Sequence, residues 1–205
     1  MKGYFVTGID TEIGKTVISA ILCEALEADY WKPVQSGDAH NSDTMKVRSL
    51  VENTKSVFHK EQFVLGEPMS PHASAEIDGI QIKASDFKLP ETNNTLIIEG
   101  AGGLMVPLND NYLMIDLIQE LGLPVILVSK NYLGSINHSL LSIEALQSRS
   151  IPIKGIIFNN SPYPSSESFI EAYSKIPILA RIGFGEEVSS AMVKKHASSI
   201  RNKII

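Results

Sequence analysis

The segment Gly8-Ile9-Asp10-Thr11-Glu12-Ile13-Gly14-Lys15-Thr16 has the spacing GxxxxGKT, which builds a loop around a chain of phosphates. Its glycines let backbone N–H groups turn inward toward phosphate oxygens, and a helix starting beside Lys15 adds its positive N-terminal end. In such a loop Lys15 neutralises the outer phosphates and the Thr16 hydroxyl ligates magnesium. Glu99 closes the apolar run Leu96-Ile97-Ile98 and leads into Gly100-Ala101-Gly102-Gly103, where a ligand can approach the backbone closely. A carboxylate at the end of a buried parallel strand lies on the edge where open sheets bind ligands. Asp43, after Asn41-Ser42, is either a second carboxylate for the ion or part of a helix cap. Lys32 opens Lys32-Pro33-Val34-Gln35-Ser36-Gly37 beside Trp31, and either meets an anion there or snorkels to the surface. Lys15 and Lys32 converging on one phosphate would be the arrangement by which phosphoryl transfer spreads transition-state charge.

The elements that must position these groups are legible as short apolar runs alternating with helical spacing. Strands are predicted over residues 4–7, 30–34, 95–99, 124–128, 153–158 and 178–182. Helices are predicted over 15–28, 113–121, 136–147, 167–174 and 188–200; apolar residues at 136, 140, 141, 143 and 146, for example, form one stripe on a helix. The pattern predicts an α/β fold, a single domain over 1–205 with a doubly wound, mainly parallel sheet and helices on both faces, P-loop NTPase-like. Residues 36–90 are the least regular, with a helical pattern over 43–51 and then turns at Gly66, Pro68, Pro71, Asp78 and Gly79. Such a stretch between core elements is often where a substrate is held.

Composition bounds the function. In 205 residues, 43% hydrophobic and 20% charged, there is ample material for a core, which excludes a wholly disordered chain. Eighteen basic against 23 acidic residues give a charge of -5, the wrong sign for a protein that holds nucleic acid through a basic surface. The one cysteine, Cys23, lies on an apolar helical stretch and is expected to be a packed small hydrophobe in a reducing compartment. The start, Met1-Lys2-Gly3-Tyr4-Phe5-Val6, runs directly into a strand, without the pattern of a signal peptide. No apolar run approaches the roughly 18 residues of a membrane helix. The expectation is a soluble, cytoplasmic protein with no membrane and no nucleic-acid partner.

Taken together and in order, these motifs resemble the dethiobiotin synthetase family over nearly the whole length. The resemblance rests on residues 7–16 in the form GxDTxxGKT, on Lys32-Pro33-Val34-Gln35-Ser36-Gly37, Asn41-Ser42-Asp43 and Ser70-Pro71-His72. Glu99-Gly100-Ala101-Gly102-Gly103, Leu133-Gly134-Ser135-Ile136-Asn137-His138 and Asn159-Asn160 continue it. It implies an ATP-dependent ligase of biotin synthesis acting on 7,8-diaminopelargonic acid, carbon dioxide and MgATP. In that family an amine captures carbon dioxide as a carbamate, ATP phosphorylates the carbamate, and the neighbouring amine closes the ureido ring with loss of phosphate. Carbamate and triphosphate are both anions, so they repel unless cations stand between them; Lys15, Lys32 and magnesium would do so. No protein nucleophile is needed, in keeping with the lack of a Cys/His or Ser/His/Asp pattern.

Carried onto this chain, the resemblance implies magnesium on Thr16, Asp43 and Glu99, and catalytic roles for Lys32, Lys15 and Thr11. Thr11 and Ser36 would hold the diamine or carbamate end of the substrate. ATP would be bound by Glu12, Ile13, Gly14, Lys15, Thr16, Val17, Asp43, Glu99, Gly100, Ala101, Gly102, Asn159, Asn160, Gly183 and Phe184. The family works as a homodimer, and the substrate carboxylate would meet a partner's helix start at Gly134 and Asn137. The departures lie at the base-binding end: Asn159-Asn160 replaces Asn-Asp, and Gly183-Phe184 stands where relatives carry a proline. The region after Ser36 is also short, which predicts a reduced substrate lid. His72 and His138 match family motifs without an assigned role. A partitioning-type ATPase switch shares the fold but carries an additional early loop lysine, where this chain has Asp10. A cobyrinate-type amidoligase would need a glutamine-hydrolysing domain for which the chain has no room.

Overall fold

In the computed structural model, residues 2–183 and 187–204 are described. The chain runs through β1 (Gly3–Gly8), α1 (Lys15–Leu26), β2 (Asp29–Trp31), β3 (Val34–Ser36), α2 (Asp43–Leu50), β4 (Phe63–Leu65) and α3 (Pro71–Ile77). It continues through β5 (Leu96–Gly103), β6 (Pro107–Asn109), β7 (Tyr112–Leu113), α4 (Met114–Leu121) and β8 (Val125–Lys130). The last elements are α5 (Ser135–Ser148), β9 (Ile153–Asn159), α6 (Pro164–Ser174), β10 (Ile178–Ile182) and α7 (Ser190–Ile204). Six strands form one sheet in the order β10-β9-β8-β1-β5-β2, every pair parallel.

Why the strands read as continuous apolar runs is visible in β1. Tyr4 and Val6 pack into a core layer with Ile18, Ile21 and Leu22 of α1 and Val193 of α7, while Phe5 points the other way to Ile115 of α4 and Ile143 of α5. With period-two alternation and helices on both faces, neither side of the strand can be polar. Burying one such Leu, Ile or Phe contributes about 1.5–3 kcal/mol, so the two layers together hold the strand ends in place.

Two expected strands differ in extent. The strand expected over 30–34 divides: β2 ends at Trp31 and β3 begins at Val34, in a separate two-stranded sheet with β4. Pro33 has no N–H with which to continue the ladder. Its carbonyl instead accepts from the N–H groups of Gln62 and Phe63, each at 3.0 Å, and so starts the β3–β4 pairing. The strand expected to end at Glu99 runs on to Gly103, whose backbone pairs with Gly8. Glu99 therefore stands within the strand, beside Val6, and is 1% exposed. Cys23 is fully buried, and burial pushes its thiol well above the ordinary range, as a packing role requires.

Candidate active site

The phosphate loop lies between β1 and α1, at the carboxyl edge of the sheet. Gly14 takes φ +93°, a left-handed conformation that suits glycine and lets α1 begin at Lys15. The loop forms one wall of a cavity of about 690 Å³ whose other walls come from Lys32, Ser36, Asp43, Glu99 and the segment from Pro68 to Pro71. Of the residues singled out in the sequence, Thr11, Glu12, Gly14, Lys15, Thr16, Lys32, Ser36, Asp43, Glu99, Ala101 and Gly102 all line this one cavity. They come from distant parts of the chain, joined only by the crossing of β1, β3 and β5 with the starts of α1 and α2.

Lys32 sits at the break between β2 and β3, buried to 5% exposure, so it does not snorkel to the surface. Its ammonium donates to the Asp43 carboxylate and, at 3.2 Å, to Glu99 Oε1. Thr16 Oγ1 donates to the same Glu99 oxygen at 3.0 Å. Thr16, Asp43 and Glu99 thus converge, and all three offer the hard oxygen donors that magnesium takes. Among the described residues no group of three or more His, Cys, Asp or Glu side chains could hold a metal by itself. Two carboxylates and a hydroxyl fit an ion that shares its remaining positions with phosphates and water.

The helix cap at α2 is Ser42: its hydroxyl accepts from the Met45 N–H at 3.3 Å. That leaves the Asp43 side chain, one residue further on, free for Lys32. Burial would raise Asp43, but the charge of Lys32 and its hydrogen bond outweigh this and hold the carboxyl below its ordinary range. Burial likewise would lower Lys32, but Glu99 and Asp43 hold it above the ordinary lysine value. Lys15 is the contrast. Burial, helped by the nearby charge of Lys32, brings it down to about 8, and its ammonium donates to the Asp10 carbonyl at 2.9 Å.

Two residues in contact with Glu99 and Asp43 have roles that were not read from the sequence. Tyr30, fully buried, donates to Glu99 Oε2 at 2.9 Å. Burial and the neighbouring Glu99 push its phenol well above the ordinary value, so it remains a donor. Gln35 Oε1 accepts from the Asp43 N–H at 3.1 Å while its Nε2 donates to the Gly37 carbonyl at 3.0 Å, which ties the end of β3 to the start of α2. A signal for Tyr30 was present: it lies two residues before Lys32, the spacing that places side chains on one side of an extended chain. Gln35 lies within the motif from Lys32 to Gly37, with no role of its own assigned there.

Other expected ATP contacts lie outside the cavity lining. Ile13 is buried, Val17 packs on the core, and a Cβ on Gly100 would stand 2.9 Å from the Phe5 ring. Asn159 Nδ2 donates to the Ile13 carbonyl at 2.8 Å, which ties the end of β9 to the phosphate loop. Asn160 follows at φ 82°, and Gly183 is exposed; Phe184 lies outside the described residues. Near this end, Asn131 Nδ2 donates to the Ser161 carbonyl at 2.9 Å and to Glu167 at 2.7 Å. Gly134 and Asn137 are exposed at the start of α5, away from this cavity. His138 Nδ1 hydrogen-bonds the Tyr132 hydroxyl at 2.7 Å, whereas His72 Nδ1 is buried without a partner.

Known proteins with this sequence pattern decide the lineage. A family model described as an AAA domain matches residues 2–191. The ATP-dependent dethiobiotin synthetase BioD of Christiangramia forsetii is 54% identical over 203 residues, covering 99% of this chain and 98% of that protein. The chain belongs to the ATP-dependent dethiobiotin synthetase family. The family's protein in Cytophaga hutchinsonii is 45% identical over 198 residues, covering 96% of each chain. Among solved structures, the Pyrococcus furiosus cell division ATPase MinD superposes with a TM-score of 0.58 at 13% identity, covering 98% of this chain and 99% of that one. At that identity the likeness establishes the doubly wound P-loop fold and nothing about the reaction.

Proposed function

We propose that this protein is an ATP-dependent dethiobiotin synthetase, a ligase that closes the ureido ring of dethiobiotin from 7,8-diaminopelargonic acid, carbon dioxide and ATP. The observation that carries the reading is the full-length identity of 54% to a protein of that name, joined to a cavity in which phosphate loop, Lys32 and two carboxylates meet. A substrate amine adds to carbon dioxide and loses a proton to water, giving a carbamate. A carbamate oxygen then attacks the γ-phosphorus of ATP; the bond to the β,γ-bridging oxygen breaks and ADP leaves. Attack of the second amine on the carbamoyl carbon breaks the carbon–oxygen bond to phosphate, and the nitrogen gives its proton to water.

The residues act by positioning and by charge. Lys15 and Lys32 offset the repulsion between carbamate and triphosphate, which is stronger in a partly buried site than in water. Ser36 Oγ is buried without a partner and Ser36 lines the cavity, so its hydroxyl is available to the carbamate or amine; Thr11 lines the same cavity. Thr16, Asp43 and Glu99 would hold magnesium, which when bound supplies charge neutralisation at the phosphates. The active unit is a homodimer in the cytoplasm, in which Gly134 and Asn137 of one copy receive the substrate carboxylate bound to the other; both are exposed at the start of a 14-residue helix. Among the described residues no helix is long and apolar enough to cross a membrane. A nucleotide switch of the partitioning type is the second reading, favoured only by fold.

The test is to supply purified protein with MgATP, bicarbonate and the diamine. ADP and dethiobiotin are the expected products; ATP turnover that ignores both diamine and bicarbonate overturns the reading.

A further inference from the structure

Lys32 is placed where a metal would be expected. Its ammonium donates to both carboxylates of the candidate ion site, Asp43 and Glu99, and the third oxygen donor, Thr16 Oγ1, meets it on the same Glu99 oxygen. The groups that could otherwise balance the two carboxylates are turned elsewhere or stand on the flank. Lys15 donates to the Asp10 carbonyl, and Lys46 lies 3.7 Å from Asp43 Oδ1, the oxygen that Lys32 does not take.

We propose that Lys32 holds the magnesium position in the unloaded protein, so that arrival of the ion and delivery of Lys32 to the phosphoryl group are a single exchange. The proposal rests on the ligase reading above and deepens it by giving Lys32 a second, resting position.

Two observations decide which partner moves. Glu99 is fixed from behind by the fully buried Tyr30 hydroxyl, which takes its Oε2 and leaves Oε1 facing the cavity. Asp43 begins a helix whose first N–H is anchored by Gln35. The Glu99 carboxylate and the backbone that carries Asp43 are therefore held, and the mobile partner is the ammonium on its four-carbon stem. A divalent ion and an ammonium cannot share the gap, because like charges a few ångströms apart in a buried site repel strongly. Lys32 is driven out into the cavity, the side on which Lys15 and the phosphate loop stand. Until then it is sequestered, and a nucleotide that arrives without metal meets Lys15 without Lys32. The two carboxylates, for their part, are never left buried and uncompensated between turnovers.

The test is Mn²⁺ binding in the absence of nucleotide, with free Mn²⁺ read by its electron paramagnetic resonance signal. Lys32→Met removes the competing cation and is expected to tighten Mn²⁺ binding by about tenfold or more, while Lys32→Arg, which keeps the charge, stays within about threefold of the unaltered protein. A smaller tightening in Lys32→Met, or an equal one in Lys32→Arg, overturns the exchange. Circular dichroism reports whether each variant folds. Should Lys32→Met not fold, a crystal structure of the unaltered protein with ADP and Mn²⁺ decides. The ion between Asp43 and Glu99 with Lys32 Nζ out of reach of both is expected; Nζ still bridging them overturns the proposal. Ligase turnover of the unaltered protein is measured alongside. Turnover with no response of Mn²⁺ binding overturns the exchange alone, and the expected Mn²⁺ response without turnover overturns the ligase reading alone.

Discussion

The Asn159 carboxamide lies over Gly14: its Nδ2 donates to the Ile13 carbonyl at 2.8 Å, and a Cβ built on Gly14 would stand 2.1 Å from that nitrogen. Gly14 is thus constrained twice, by its φ of +93° and by the side chain above it. Gly14→Ala is expected to lose about 1–3 kcal/mol of stability and to weaken ADP binding by about tenfold or more, since both strain and clash displace the phosphate loop. Denaturation and calorimetry with ADP check it. Adding Asn159→Ala should restore part of the loss, by removing the clash while leaving the strained φ.

Lys32→Gln should lower kcat by about a thousandfold and leave ADP affinity within about threefold, because the ammonium is spent on the transferring phosphoryl group and not on holding nucleotide. Single-turnover kinetics with the diamine, beside a binding isotherm, separate the two effects. Full activity in this variant would show that Lys32 has no part in the chemistry.

Tyr30→Phe removes the donor to Glu99 Oε2 and leaves a buried carboxylate oxygen short of a partner. The expected cost is about 1–3 kcal/mol of stability, with a few-fold higher magnesium requirement for turnover as Glu99 gains freedom to rotate. Urea denaturation and a magnesium titration of activity read the two consequences separately.

Nucleotide binding should depend on pH through Lys15, whose value in the free protein is brought down by burial, and by the charge of Lys32, to about 8. Bound polyphosphate favours the charged amine, so binding takes up a proton once the pH exceeds that value. ADP affinity is expected to be flat below about pH 8 and to fall by up to about tenfold per pH unit above it. Calorimetry in buffers of different ionisation enthalpy measures the proton directly. For stability the sign is opposite: the unfolded chain keeps this proton up to 10.5, so Lys15 makes folding more favourable as pH rises from about 8 toward that value.

Asp29 predicts acid sensitivity. It is 1% exposed and accepts from the Val57 N–H at 2.9 Å, Thr92 at 2.6 Å and Asn94 at 2.8 Å, with His59 3.1 Å away. Burial would raise its value, but these hydrogen bonds, led by Asn94 and Thr92, outweigh it and hold the carboxyl below the ordinary 3.8. Its stabilisation is therefore present above that value and is lost as pH falls through the folded one. Asp29→Asn should flatten the loss of stability below about pH 4, measured by denaturation across pH.

Much of the fold was legible because a parallel sheet covered on both faces forces continuous apolar strands, as Tyr4, Phe5 and Val6 illustrate. The phosphate loop was legible because its geometry demands particular residues at particular spacing, Gly14 above all. The strand expected through Lys32 and Pro33 broke where proline withholds a ladder hydrogen bond. The one expected to stop at Glu99 went on, because glycine backbone can remain in a sheet beside Gly8.

The sequence by itself determined the chemistry on offer: a loop for phosphates, two lysines, two carboxylates and a hydroxyl, each fixed by residue type and local spacing. Only the tertiary structure decided their pairing. Lys32 and Glu99 are 67 positions apart and Tyr30 and Glu99 are 69, so their contacts follow from strand order and register, which no local pattern encodes. That Lys32 rests between the two carboxylates, while Lys15 turns to its own loop, is a balance of burial against charge. It exists only once the chain has brought those charges into one cavity.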